Sequence, residues 1–156
     1  DFLPWPQKRP SHESRSALER AQFFLDKAVA CRGDERVDFA AYLEASIVFA
    51  RSAVHRFKTR FQSHPGFKNW WDSLLDDSAV AFTRVQRDWI LKDASLKIGQ
   101  KGFAASVGSE APSWQPSRAG DFYYFENPSI PATETVARHL GALKSLLGEA
   151  EQRFLV

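Results

Sequence analysis

A chain of 156 residues, 44% hydrophobic and 26% charged, holds enough apolar material for one core of ordinary size, so neither disulfides nor a structural metal are required to stabilise it. A net charge of +2 makes no whole-molecule case for nucleic acid, and a single cysteine, Cys31, excludes an intramolecular disulfide and a Cys-based zinc site within one chain. No apolar run is long enough to cross a bilayer, the first eleven residues hold three prolines instead of a signal-peptide core, and a reducing cytoplasm is the expected compartment. Methionine is absent, the initiator included, which suggests that the chain is trimmed or that some of its residues are not represented in the sequence.

Pro4, Pro6 and Pro10 make residues 1–13 an expected extended arm that packs Trp5 onto the body. A first helix is predicted from Ser14 or Ser16, either of which can cap it, with Leu18, Ala21, Phe24 or Leu25, and Ala28 at helical spacing. Gly33 ends it and Asp34 is placed to cap the next, a link so short that the two helices must be antiparallel neighbours. The second helix, 35–62, is the longest, with Phe39, Leu43, Ala50, Ala53 or Val54, Phe57 and Phe61 along its core face. His64-Pro65-Gly66 stops it.

A short helix is expected at 67–75. Its adjacent Trp70 and Trp71 point about 100° apart, which puts one in the core and leaves the other partly exposed. Asp76, Asp77 and Ser78 offer caps for a further helix carrying Val80, Phe82, Val85, Trp89 and Ile90 inward. Gly, Pro and Ser abound over 98–131, where a long loop is expected, with strand-like 103–107 and 122–125 suggesting a small hairpin. The last helix follows Pro131, with Thr133 as its cap and Val136, Leu140, Leu143, Leu147, Ala150 and Phe154 as its buried stripe. The sum is an all-α, antiparallel bundle of four to five helices in one domain, 1–156.

The chain lacks a phosphate loop, a dinucleotide-type glycine fingerprint, a His-Glu-x-x-His pair and a nucleophile elbow, and its four histidines fall in separate segments. No metal or cofactor is expected. Chemistry is left to two polar features. On the second helix Glu44, Arg51 and Lys58 recur every seven residues, returning to nearly one face, with His55 one turn beyond Arg51. The same stretch holds the strongest local charge bias of the chain: Arg51, Arg56, Lys58 and Arg60 with no acid among them. Such a stripe is either a solvated face or the wall of a polar groove.

The second feature is the run from Arg84 to Lys92, in which charges alternate with large apolar residues. Arg87-Asp88-x-x-x-Lys92 resembles the Arg-Asn-x-x-x-His or Arg-Asp-x-x-x-His signature of HEPN domains, the higher-eukaryote and prokaryote nucleotide-binding group. The resemblance covers residues 16–97 and the last helix. It implies an all-α bundle that often forms a homodimer, with two copies of the motif across a shared cleft. In its active members RNA is cleaved without metal, the histidine moving protons while the arginine stabilises phosphate charge. Arg87 matches that arginine and Asp88 the polar residue beside it, but Lys92 stands where the histidine belongs. A lysine with an ordinary pKa near ~10.4 holds a phosphate but does not accept a proton at neutral pH.

Three functions follow. The first is a non-catalytic HEPN-like protein that binds an anionic, phosphate-bearing ligand, such as RNA or a nucleotide, or a protein partner, through Arg87, Asp88, Lys92, Arg51, His55 and Glu44. The second is a metal-independent ribonuclease or toxin using Arg87, His55 and Lys92. The third is a structural or partner-binding bundle. In that case Asp88 and Lys92 form an ordinary i, i+4 ion pair, Arg87 pairs with Glu44 or another acid, and an apolar patch lies near Trp70, Trp71 or residues 103–125.

Overall fold

The computed structural model describes residues 10–74, 77–93, 97–101 and 118–154. They form α1 (Pro10–Val29), α2 (Arg36–Phe61), α3 (Phe67–Ser73), α4 (Ser78–Asp93), β1 (Ile98–Gln100), a single 3-10 turn (Ala119–Asp121), β2 (Phe122–Tyr124) and α5 (Ala132–Phe154). This is the expected helical bundle with a small antiparallel strand pair before the last helix. Among the described residues no helix is long and apolar enough to cross a membrane. The proposed cap Asp76, the strand-like 103–107 and the arm at 1–9 with Trp5 lie outside the described residues.

The helix ends depart from expectation in three places. α1 begins at Pro10, because proline fits the first helical position, where its missing N–H is not needed; residues 10–13 are therefore helical and not part of an arm. The N-cap of α2 is Glu35, not Asp34, and its Oε1 accepts a 2.9 Å hydrogen bond from the amide of Arg32, tightening the link from α1. Thr133 lies inside α5, which starts at Ala132 directly after Pro131. Asp77 does cap α4: its Oδ1 accepts from the amides of Ala79 at 2.9 Å and Val80 at 3.3 Å. After α2 the chain turns through Gly66 at φ 85°, a left-handed conformation that glycine adopts without a Cβ penalty.

α1 and α2 are antiparallel, joined by Phe24 stacked on Phe49 with ring centres 5.6 Å apart, and by buried Ser46, whose Oγ donates to the Ala21 carbonyl at 2.7 Å. The whole predicted stripe of α5 is buried. At one end Phe154 gathers Phe61, Phe67, Trp70 and His64 around it, all with ring centres within 5.8 Å, which pins the ends of α2 and α5 together with α3. Trp70 is buried and Trp71 half-buried, as the 100° offset requires. At the other end Phe122 of the strand pair stacks on Phe39 with ring centres 4.2 Å apart.

α4 is rotated from its expected setting. Ala79, Val80, Thr83 and Gln86 are its buried residues, while Val85 is 38% exposed and Phe82, Trp89 and Ile90 are only half-buried. Thr83 tolerates burial because its Oγ1 donates to the Val80 carbonyl. Phe82 is held at the rim instead, stacked on the His139 ring at 4.0 Å and edge-on to Tyr124. This rotation sets the environment of the next residue, Arg87.

Candidate functional site

Arg51 lies near the middle of α2, on the side against which α4 packs. Its Nε and Nη1 are buried and have no hydrogen-bond partner among the described residues. A guanidinium presents its donors in a rigid planar fork that suits a carboxylate or phosphate, so two covered and unused donors are a cost unless an oxyanion takes them. The sequence places it there because Arg51 belongs to the polar stripe of α2 that also carries Glu44, His55 and Lys58, at the border of the buried face that holds Ala50, Ala53 and Val54.

The surroundings repel the Arg51 charge instead of balancing it. Burial lowers its pKa first, Arg87 and Arg84 on α4 lower it further, and Asp88 alone opposes them. Arg87 and Asp88 are half-buried, with Nη1 and Oδ1 4.0 Å apart, a loose contact that leaves the Arg87 fork largely uncommitted. His55, one helical turn beyond Arg51, has its pKa lowered by desolvation and then by Arg51, Arg87 and Lys58. Lys58 in turn lies over the half-buried Trp71 ring, 5.4 Å from its centre. Among the described residues, Arg51, Arg84, Arg87 and Lys58 thus act on this region as cations, with the Asp88 carboxylate opposing them at Arg51.

Of the six residues expected at a site, the structure brings together Arg51, His55, Arg87 and Asp88. Glu44 does not join them: its carboxyl is raised by burial, with no arginine holding it down, and it makes no ion pair with Arg87. Lys92 stays exposed in the last turn of α4, acts on neither Arg51 nor His55, and forms no ion pair with Asp88 among the described residues. Arg84 is the member that motif matching misses. Its position three residues before Arg87 on one helix face is the signal that finds it.

Other charges of the basic stretch are engaged elsewhere, Arg60 reaching Glu151 on α5 at 4.0 Å. Cys31 is buried with its thiol pKa raised, first by desolvation and then by Glu35 and Asp38, the opposite of a reactive cysteine. Among the described residues no group of three or more His, Cys, Asp or Glu is placed to share a metal ion. Among the described residues, exposed grooves border α1, one of about 740 Å³ between its end, the 3-10 turn and the start of α5, and another of about 470 Å³ around Phe23 and Lys144. Both carry mixed charges, and neither includes the arginine cluster. Comparison with protein-family models, curated proteins and solved structures found no match to the chain.

Proposed function

We propose that this chain is a HEPN-like helical protein whose Arg51, Arg84 and Arg87 hold a phosphate-bearing anion, and that it binds this ligand without cleaving it. The observation that carries the reading is Arg51. A half-buried guanidinium with two covered donors that have no partner among the described residues, repelled by two further arginines, is an arrangement that gains by taking up an oxyanion. Hydrogen bonds from arginine to a phosphate oxygen are charge-assisted and short, and a bidentate pair adds direction to strength. The position of Arg87-Asp88 on α4 beside the polar stripe of α2 supports the family reading. Lys92, exposed and in place of the histidine, supports binding over catalysis.

One observation favours a second reading, the metal-independent ribonuclease. The His55 pKa is lowered, first by desolvation and then by Arg51, Arg87 and Lys58, which favours the uncharged ring that a general base needs. A single experiment separates the two. The chain, Arg51→Leu and Arg87→Ala are each incubated with a labelled oligoribonucleotide in EDTA, and retention and cleavage are read together. Binding lost in both variants with the RNA intact supports the first reading. Cleavage by the unaltered chain that disappears with Arg87→Ala supports the second. Equal behaviour of all three proteins removes both.

A further inference from the structure

His55 differs from the other two histidines whose side chains the structure describes. The Nδ1 of His64 contacts the Pro65 carbonyl at 2.8 Å and that of His139 contacts the Thr135 carbonyl at 2.8 Å. The His55 ring makes no hydrogen bond among the described residues; only its backbone carbonyl is used, accepting from Thr59 Oγ1. The ring is exposed on α2, with Arg51 one turn before it and Lys58 one turn after, and Arg87 bears on it from α4. Asp88 on α4 is the carboxylate of the same cluster. A titratable ring whose two nitrogens have no partner among the described residues therefore stands exposed beside Arg51 and Lys58 on α2 and is acted on by Arg87 from α4.

We infer that His55 is a proton-gated member of the anion site: an anion bound at Arg51 and Arg87 draws a proton onto the His55 ring, and affinity for it rises as the pH falls. The inference rests on the anion-binding reading and adds to it a regulation of the same residues. Without a bound anion, desolvation first and then Arg51, Arg87 and Lys58 disfavour a positive charge on the ring. A bound anion reverses the sign of the local field. The imidazolium then becomes a favourable neighbour and an additional N–H donor, and proton and anion each strengthen the binding of the other by the same factor.

Inorganic sulfate is the probe, since it keeps a constant charge where a phosphoryl group, with a second pKa of about 6, does not. Binding to the full chain is measured by calorimetry at pH 7.5 and pH 5.5, and the His55 ring is followed by NMR with and without sulfate. The expected result is an affinity about 5–10-fold higher at the lower pH and a His55 titration midpoint that moves up with sulfate. In His55→Gln the ratio of the two affinities falls to near one. Sulfate bound with the same pH dependence in chain and variant overturns the inference while leaving the anion site standing. Sulfate bound at neither pH overturns both.

Discussion

Arg51 on α2 and Arg87 on α4 bear on one another as like charges across the junction of two packed helices, and Arg51 meets this repulsion with two covered donors that have no partner among the described residues. Folding therefore works against the site. Replacing Arg51 by leucine removes the repulsion and the unmet donors while keeping an apolar side chain on the half-buried position. The expected effect is a gain of about 1 kcal/mol, modest because the side chain is only half-buried. Urea unfolding should show a higher midpoint at unchanged slope, with sulfate binding lost. A lower midpoint would mean that Arg51 supports the fold and is not strained within it.

Tyr124 presents a smaller version of the same imbalance. Its hydroxyl is buried and without a hydrogen-bond partner among the described residues, and burial, then Glu126, drives its pKa far upward. Tyr124→Phe keeps the ring packed edge-on to Phe82 and removes only an unmet polar group. Stability should stay level or rise by up to about 1 kcal/mol. A loss beyond ~1 kcal/mol on urea unfolding would reveal a partner for the hydroxyl.

The contrast between α5 and α4 shows which features can be read from sequence. In α5 every apolar residue at 3–4 spacing from Val136 to Phe154 is inside, because an unbroken stripe leaves one way to face the core. In α4 large apolar residues occur on several sides, so periodicity alone favours Phe82, Val85 and Trp89. The structure instead buries Thr83 and Gln86, since Phe82 is taken by His139 and Tyr124. The site inherits that ambiguity. Arg51, His55 and Arg87 are legible as a stripe and a motif, but Arg84 joins and Lys92 drops out only through the rotation of α4 about its axis. Start positions were open for a similar reason: Pro10 is consistent with an arm or with the first turn of a helix, and only packing of α1 decides it.

Phe154 should be among the costliest residues to truncate. It is 8% exposed, and its ring is the common neighbour of Phe61, His64, Phe67 and Trp70, so alanine there removes the contact joining three helices. A loss of about 3–5 kcal/mol is expected from lost burial and the cavity left behind. Trp70 fluorescence should respond together with the urea midpoint, because the ring centres of Trp70 and Phe154 are 5.5 Å apart. A shift below ~1 kcal/mol would mean that the end of α5 is not anchored there.

Stability itself should carry the signature of His55. In the unfolded chain the ring titrates near ~6.5. In the folded chain it titrates lower, first because of desolvation and then because of Arg51, Arg87 and Lys58. Between those two values the unfolded state holds more protons, so stability must fall as the pH drops from about 6.5 toward the folded value, and must be free of this contribution above it. His55→Gln cannot take up the proton, and its loss of stability from pH 7.5 to 5.5 should be smaller than that of the unaltered chain. The other titratable groups are common to both proteins, so the difference between the two urea midpoints, followed against pH, isolates the histidine. Saturating sulfate should shrink that difference, since a bound anion relieves the repulsion that depresses the ring. A difference that stays constant across the range would mean that the three cations lie too far from the ring to act on it.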